Sequence, residues 1–314
     1  MRADPVRGGA VARAWRVQFA DGRRFFAKTL AASSGDFAAE AEGLRALAAV
    51  GVLRVPRVVA HGAVEDTGYL VLRWIASGQP ASDYDAQLGR ALAHHHLAQP
   101  RRGASHLVKS SRAEPSRAEP PRVRPPGASP HRAASAAKRC GYDHDNYLGA
   151  TPQPNRWGDD WSDFWRERRL GHQWEIARAA RPDDRELLDA VAAAMAATDR
   201  LLASVEDEPM SLLHGDLWSG NVIADGEGVP TVIDPAVYYG HREADFGMFT
   251  LFGGFGDAFL SAYQEVWPFA PGWRARRPLY ALYQALNHLH LFGDAYRGRC
   301  LELARRVRFG EEHG

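Results

Sequence analysis

Two short apolar runs, at 212–213 and 232–233, each lead into polar residues that could carry out phosphoryl transfer. Asp216 and Asn221 follow the first run five residues apart, and Asp234 follows the second run, thirteen residues after Asn221. In phosphoryl-transfer enzymes this order supplies a carboxylate that orients the attacking hydroxyl and two oxygen ligands for Mg²⁺. The spacing therefore predicts Asp216 as the catalytic base and Asn221 and Asp234 as magnesium ligands.

The residue types also fit the physical demands of that reaction. Hard oxygen ligands suit Mg²⁺, and a poised carboxylate suits a loose, charge-dispersed transition state. The competing interpretation is an Asx-rich hairpin in which Asp216 and Asn221 only cap turns. We favour the phosphoryl-transfer interpretation, because one ordered spacing provides every part of a metal–phosphate site.

Several longer segments around these residues resemble one protein family. They are HGDLWSGN at 214–221, DPAVYYGHREADFGM at 234–248, FGGF at 252–255 and LYQALNHLHLFG at 282–293. Together they resemble the fructosamine kinase (ketosamine-3-kinase) family, which has a protein-kinase-like fold and is related to the aminoglycoside phosphotransferases. The Trp-Ser pair at 218–219 and the segment 239–243 separate this resemblance from the aminoglycoside and choline kinases. It covers nearly the whole chain outside 101–140.

The resemblance implies an α+β, two-lobed fold. A small N-terminal lobe of antiparallel strands with one helix, including the hinge, is expected over residues 1–75. A larger and mostly helical catalytic and substrate-binding lobe is expected over 76–314, with ATP and Mg²⁺ in the cleft between the lobes. Within the second lobe, we expect amphipathic helices at 161–178 and 185–205, and further helices at 280–292 and 300–309.

Composition places few limits on the partners of this chain. The 314 residues are 45% apolar and 25% charged, which is ordinary for a globular protein, and the net charge of +1 gives no reason to expect nucleic acid or a membrane as a partner. The two cysteines and the lack of an apolar leader favour a reducing, cytoplasmic setting. The oligomeric state is open, with a monomer favoured.

The N-terminal region carries the expected phosphate-binding groups. Gly8 and Gly9 precede two predicted strands that are joined by a hairpin at Asp21-Gly22. A glycine turn lets backbone N–H groups approach phosphates, because no Cβ intervenes. Lys28, on the second strand, resembles the kinase lysine that holds the α- and β-phosphates; the alternative is a surface lysine.

A helix is predicted from 37 to 50, with Asp36 as its N-cap. Glu40 on this helix is the expected ion-pair partner of Lys28, because it matches the position in the family. Glu42 is the competing candidate. For any single helix glutamate, the simpler interpretation is a solvated side chain.

The next pair of predicted strands, 55–59 and 69–72, leads into a segment that resembles the kinase hinge. Adenine is expected to bind there through backbone groups, at Leu72 and Trp74. The family usually has Glu at the position of Arg73, so only backbone recognition is expected at that position.

The segment 101–140 differs from the rest of the chain. It holds ten Lys or Arg against two Asp or Glu, has no aromatic residue, and repeats SRAEP in tandem at 111–120. Such a run cannot bury enough apolar surface to offset its chain entropy. We therefore predict a disordered, solvated insertion within the second lobe; an anionic partner is the alternative.

The helix predicted at 85–97 ends in His94-His95-His96. Adjacent helix residues point about 100° apart, so these three cannot bind one ion from one face. His96 is expected to be packed or to cap a group. By resemblance, Asp245 is the aspartate that accepts backbone N–H bonds from the catalytic loop, and His214 braces that loop rather than catalysing.

The acceptor pocket is the least determined part of the site. Trp218 could pack on a sugar or lie in the core, and one face of the helix at 280–292 could line the pocket or be a buried helix end. Hydroxyl, imidazole and carboxylate groups suited to a polyhydroxy ligand follow Asp234. The substrate-binding candidates are Trp218, Tyr239, His241, Glu243, Asn287 and His288.

The resemblance implies transfer of the γ-phosphate of ATP to the O3 hydroxyl of a ketosamine, a sugar joined to an amine by glycation. Ribulosamines, erythrulosamines and fructosamines are candidates, and loss of the phosphate would free the amine or protein lysine. Two alternatives remain. One is an aminoglycoside- or choline-type kinase, which would need an acidic acceptor pocket, and the other is a non-catalytic nucleotide-binding relative.

Overall fold

The computed structural model describes residues 1–6, 12–31, 37–98 and 138–310. The predicted phosphate-binding glycines, Gly8 and Gly9, and the predicted N-cap Asp36 lie outside these ranges. So does nearly all of the predicted insertion. Its last residues are described, and Cys140 is fully buried, with its backbone N–H donating to the carbonyl of Gly158 at 2.9 Å. Cys140 therefore belongs to the folded second lobe.

The N-terminal part is a five-stranded sheet in which all neighbours are antiparallel, in the order β1-β2-β3-β5-β4. The hairpin predicted at Asp21-Gly22 joins β2 to β3, and Gly22 has the positive φ of 83° that suits glycine. The strands are β1 (Arg2–Val6), β2 (Arg13–Gln18), β3 (Arg24–Ala31), β4 (Val58–Val64) and β5 (Thr67–Arg73).

One helix, α1 (Ala38–Val50), packs on this sheet. Its apolar face contributes Ala41 and Leu44 to a small core that contains Leu70 and Leu72 of β5. These residues recur at helical spacing on α1 and at every second position on β5, so each element buries one face. The packing fixes the side chains of α1 that point toward β3.

The C-terminal part is mostly helical, as predicted, and its short strands form three two-stranded antiparallel sheets among the described residues. The helices are α2 (Tyr84–Leu97), α3 (Trp161–Asp163), α4 (His172–Ala180), α5 (Arg185–Ala196), α6 (Thr198–Leu202), α7 (Gly247–Phe252), α8 (Asp257–Val266), α9 (Trp273–Phe292) and α10 (Arg297–Phe309). The strands are β6 (Asn146–Leu148), β7 (Thr151–Gln153), β8 (Ser211–Leu213), β9 (Val222–Ala224), β10 (Pro230–Val232) and β11 (Tyr238–Gly240).

The structure corrects the extent of four predicted helices. The helix predicted at 161–178 contains a π-helical stretch, Phe164–Gly171, between α3 and α4, and the one predicted at 185–205 is interrupted between α5 and α6. The helices predicted to begin at 280 and 300 begin at Trp273 and Arg297. Within the described residues, no helix is both long and apolar enough to cross a membrane.

Helix α9 runs through the centre of the large core and is buried on nearly all sides from Leu279 to Leu289. A helix that is covered all round is held rigidly by its neighbours. Gln284 on α9 donates to the carbonyl of Gly215 at 3.3 Å, so this rigid helix supports the loop that carries Asp216.

Candidate active site

The loop after β8 holds Asp216 in place through backbone contacts. Gly215 has a φ of +82°, and a Cβ there would lie 2.0 Å from the carbonyl oxygen of Ala236, so only glycine fits. His214 donates from Nε2 to the carbonyl of Ile233 at 3.0 Å, and its Nδ1 accepts the Asp216 N–H at 3.3 Å. The imidazole therefore braces the loop as a neutral ring, in agreement with its predicted role.

Asp245 supports the same loop from below, as predicted. Its carboxylate accepts the backbone N–H groups of His214 at 2.9 Å and Gly215 at 2.7 Å. It also accepts from Nε2 of His96 at 3.1 Å, while the hydroxyl of Tyr263 donates to the other ring nitrogen. Burial alone would raise the pKa of Asp245, but the contacts with His96 and the loop outweigh it and lower that pKa.

The histidine run at the end of α2 is structural rather than metal-binding. His95 is buried and donates from Nε2 to the carbonyl of Leu212 at 2.9 Å, His96 bonds Asp245, and His94 is exposed. The three side chains therefore point to different surroundings, as their helical spacing predicts.

Asp216 faces the cleft beside Asn221. The Asn221 amide nitrogen donates to the backbone oxygen of Asp216 at 2.8 Å and to its carboxylate at 3.1 Å. Burial raises the pKa of Asp216 to about 7, with Asp234 adding to that shift, while the Asn221 bond opposes it. A carboxylate with such a pKa is suited to accept a proton near neutral pH.

The predicted magnesium ligands fit a hard cation. Because the Asn221 nitrogen is committed to Asp216, its amide oxygen is the atom left to ligate a metal. Asp234 supplies a carboxylate from the loop that follows β10, where its φ is +56°. Two oxygen donors at one site form a typical donor set for Mg²⁺, which commonly uses few protein ligands.

Lys28 joins the two lobes at the site. Its ammonium donates to Glu40 at 2.8 Å and to Asp234 at 2.7 Å. Burial alone would lower the pKa of Lys28, but the two carboxylates outweigh it and raise that pKa. Glu42 lies elsewhere and pairs with His144 at 2.9 Å. The contact expected between Lys28 and Glu40, rather than Glu42, is therefore present.

Lys28, Glu40, Asp216, Asn221 and Asp234 all line one cleft of about 980 Å³ between the two lobes. Val6 and Ala12, which flank the predicted glycine loop, also line it. One end is apolar and suits a nucleotide base, and the other is rich in aromatic residues. The nucleotide end includes Phe26, Leu72, Trp74, Ile223 and Ile233, and the aromatic end includes Tyr147, Trp218, Phe252, His288, Phe292 and Tyr296.

Trp218 is half-buried and is held over Gly220. A Cβ on Gly220 would lie 2.4 Å from the Trp218 ring, so the glycine leaves the space that the indole occupies. On the other side, the ring lies 5.8 Å from the Phe252 ring. Gly254 in the turn after α7 packs against Ser219. The WSG and FGGF segments therefore contact each other and fix the indole at the cleft.

We expect the Gly220→Ala variant to displace the Trp218 ring and weaken acceptor binding. The KM for the acceptor should rise roughly two- to tenfold, the scale of one aromatic contact of about 0.5–1.5 kcal/mol, while the KM for ATP stays unchanged. Steady-state kinetics with each substrate varied in turn would measure this. Gly298→Ala is the matched control, because a Cβ at Gly298 meets no atom within 4 Å. An unchanged acceptor KM in Gly220→Ala would show that the indole position is irrelevant to binding.

The structure places two predicted substrate residues away from the cleft. His241 is fully buried, donates to Glu208 at 3.1 Å and lies 2.9 Å from the Tyr280 hydroxyl. Glu243 is 3% exposed and forms a bidentate pair with Arg276, at 2.6 and 2.8 Å. Both side chains are committed to partners in the core, so the prediction that they contact substrate is wrong on geometric grounds.

Tyr239 also does not line the cleft. Its ring stacks on Trp157 at 5.7 Å, and its backbone pairs with Gly141. This packing gives Tyr239 no contact with the cavity.

Two predicted residues on α9 do line the cleft. Asn287 is 2% exposed, donates to the carbonyl of Leu148 at 3.3 Å, and leaves its Oδ1 without a hydrogen-bond partner among the described residues. His288 bonds the carbonyl of Gln284 through Nδ1 at 2.9 Å. Sequence reasoning did not single out Phe252, Phe292 or Tyr296, although Phe252 and Phe292 lie in segments that carried the family resemblance.

The fold and site define a phosphotransferase with a protein-kinase-like fold. Comparison with known proteins identifies the family, because the fructosamine kinase model matches residues 1–105 and 127–307. The chain belongs to the fructosamine kinase family, and this membership implies ATP as the phosphoryl donor.

Individual relatives agree with this assignment. The chain is 35% identical over 306 residues to a chloroplastic protein-ribulosamine 3-kinase of Arabidopsis thaliana, covering 95% of this chain and 80% of that one. It superposes with a TM-score of 0.76 on a putative fructosamine-3-kinase from Thermobifida fusca, at 31% identity, covering 98% and 93% of the two chains. An aminoglycoside phosphotransferase solved with AMP-PNP and hygromycin B, at 16% identity, a TM-score of 0.59 and coverage of 97% and 94%, shares the fold alone.

Proposed function

We propose that this protein transfers the γ-phosphate of ATP to the O3 hydroxyl of a ketosamine, and that Asp216 is the base. The observation that carries the proposal is that Asp216 lies in one cleft with the Lys28–Asp234 pair and the aromatic acceptor end. A ribulosamine on a protein lysine is the favoured substrate, in line with the name of the Arabidopsis relative. Fructosamines and erythrulosamines are the other sugars to test.

In this mechanism, Asp216 accepts the proton of the O3 hydroxyl as that oxygen forms its bond to the γ-phosphorus. The bond between that phosphorus and the β–γ bridging oxygen breaks, and ADP leaves with the electron pair. Lys28 holds the phosphates of ATP, and Glu40 orients the Lys28 side chain. Mg²⁺, ligated by Asn221 and Asp234, would neutralise charge on the phosphates when bound.

The remaining predicted residues have binding roles in this proposal. Leu72 and Trp74 bind the adenine of ATP through backbone groups. Trp218 packs on the acceptor sugar, and Gly8 and Gly9 approach the phosphates through their backbone. Asn287 presents its unpartnered oxygen to a sugar hydroxyl, since a buried acceptor without a partner is costly. We also infer a reducing, cytoplasmic setting, because both cysteines are buried and unpaired.

The lining of the cleft weighs against an aminoglycoside-type acceptor. Among the described residues that line it, the carboxylates are those of Glu40, Asp216 and Asp234, and two of these three bond Lys28. A polycationic substrate would need several carboxylates at the acceptor end, and the described residues of the aromatic end include no Asp or Glu. The presence of Lys28, Asp216, Asn221 and Asp234 likewise weighs against a non-catalytic role.

The test is ATP consumption with ribulosyl-lysine, fructosyl-lysine, kanamycin and choline in parallel, with Asp216→Ala as the control. Turnover on a ketosamine that is lost in the variant would support the proposal and rank the sugars. Turnover only on kanamycin or choline would overturn the acceptor assignment. No ATP consumption with any of the four acceptors, in a protein that still binds ATP, would favour the non-catalytic alternative.

A further inference from the structure

The acceptor end of the cleft carries an aromatic cluster formed by Phe252, His288, Phe292 and Tyr296. The His288 ring lies 4.9 Å from that of Phe252, 5.3 Å from Phe292 and 5.1 Å from Tyr296. Phe252 also contacts Trp218, which lies two residues after Asp216. The cluster is therefore continuous with the loop that carries Asp216.

Two members of the cluster are unusually exposed for their size. Phe252 is 41% exposed and Phe292 is 51% exposed, although both line the cleft. A contiguous exposed aromatic surface in a cleft marks a site of ligand contact. Three different pieces of the chain build it, because Phe252 ends α7, His288 and Phe292 lie one turn apart on α9, and Tyr296 lies in the turn that follows.

The charge of this end of the cleft decides what the cluster would bind. Glu40 and Asp234 are both engaged by Lys28, so in the described lining Asp216 is the carboxylate that remains near the acceptor. Burial lowers the pKa of His288, with the Gln284 bond opposing it, so its ring is uncharged near neutral pH. The cluster thus offers neutral aromatic faces and no cation of its own.

A ketosamine brings a positive charge to this position. Its secondary amine is attached to C1 of the sugar and lies four bonds from the O3 oxygen that reacts. Such amines are largely protonated near neutral pH. With O3 at Asp216, these four bonds keep the ammonium group near the loop that carries Trp218, and Phe252 of the cluster contacts Trp218. Aromatic faces attract a cation through their quadrupole, most strongly where water is partly excluded.

We propose that the aromatic cluster recognises the protonated amine of the ketosamine by cation–π contact, and so selects ketosamines over neutral sugars. This inference rests on the proposed function. Phe252 and Phe292 are both partly exposed to solvent, so the rest of a lysine side chain could extend out of the cleft past them.

The test compares two acceptors of the same length and sugar, the positively charged 1-butylamino-ribulose and its neutral 1-butoxy analogue. The wild-type protein should prefer the amine in kcat/KM by roughly three- to thirtyfold, the range expected of cation–π contacts. Phe252→Leu and Phe292→Leu keep an apolar side chain but remove the ring. Each should reduce the amine-to-ether ratio toward one, without changing the KM for ATP.

Phe309→Leu is the matched control, because Phe309 is an exposed phenylalanine that does not line the cleft. It should keep the wild-type ratio. If the cluster acts only through apolar contact, both leucine variants will lose kcat/KM on the amine and the ether alike, and an unchanged ratio overturns the inference. Turnover on neither acceptor would instead contradict the proposed function itself.

Discussion

Replacing Asp216 with Asn is expected to reduce kcat by about two orders of magnitude or more, the scale typical of losing a general base. Asparagine has the same shape but cannot take the proton of the attacking hydroxyl. The contact of Asn221 with the Asp216 backbone oxygen does not depend on the side chain, so the loop should keep its conformation. The KM for ATP should therefore change little. Initial rates of ADP formation at saturating ketosamine would measure the effect.

Asp257→Asn is a suitable control for this variant, because Asp257 is an exposed aspartate at the start of α8. It should retain full activity. If Asp216→Asn turns over ketosamine at a rate near that of the wild-type protein, Asp216 is not the base, and the assignment of the site from the spacing 216–221–234 fails.

The same residue predicts a pH dependence. Burial raises the pKa of Asp216 to about 7 in the protein without ligands, and only the ionised form can accept the hydroxyl proton. Below that pH the inactive, protonated form dominates, so kcat/KM should fall about tenfold per pH unit, whereas above it the profile should be flat. The residual activity of Asp216→Asn should lack this acidic limb. A wild-type profile that is flat from pH 5.5 to 8 would contradict the raised pKa.

The parts of the site that the sequence predicted well are those fixed by short spacing. Asp216 and Asn221 lie five residues apart, and a tight loop with one obligatory glycine at Gly215 brings them within hydrogen-bond distance. Alternating apolar residues likewise predict β5, and apolar residues at helical spacing predict α1, because each element has one buried face. Local periodicity and turn chemistry carry enough information for these features.

The choice between Glu40 and Glu42 illustrates where that information ends. Both lie on α1, and periodicity alone does not say which one meets Lys28; resemblance to the family favoured Glu40. The structure resolves the choice through packing, because α1 rests on β5 and presents Glu40 to β3 while Glu42 faces His144. Tertiary contacts, rather than local propensity, decide such pairs.

The wrong predictions have the same origin. His241 and Glu243 have the chemistry of sugar-binding residues, and their sequence neighbours belong to the site. Their partners are distant in sequence, with Glu208 33 residues before His241 and Arg276 33 residues after Glu243. A buried ion pair cannot be distinguished from a ligand-binding group until the partner is located. Phe252, Phe292 and Tyr296 were missed for a related reason, since they meet His288 from three separate elements.

The second large effect is expected from Lys28→Met. The ammonium of Lys28 contacts Glu40 from one lobe and Asp234 from the other, and methionine keeps most of the length but no charge. Loss of a preorganised charge aimed at the transferring phosphate typically reduces turnover by about 10²- to 10³-fold. We expect a loss of that size in kcat/KM for ATP, measured by varying ATP at fixed ketosamine. A thermal unfolding curve would confirm that the variant is folded, and unchanged kcat/KM would show that Lys28 does not hold the donor.

The two glutamates of α1 separate orientation of Lys28 from the general integrity of the helix. Glu40→Gln removes the charge of one of the two carboxylates that bind the ammonium, so Lys28 should shift toward the other, Asp234, and meet the phosphates poorly. Such misplacement should reduce kcat/KM by roughly ten- to hundredfold. Glu42→Gln changes the same helix and the same residue type but leaves Lys28 untouched, because Glu42 pairs with His144. Equal losses in both variants would mean that α1 matters only as a packed element, whereas a loss confined to Glu40→Gln assigns the effect to the ion pair.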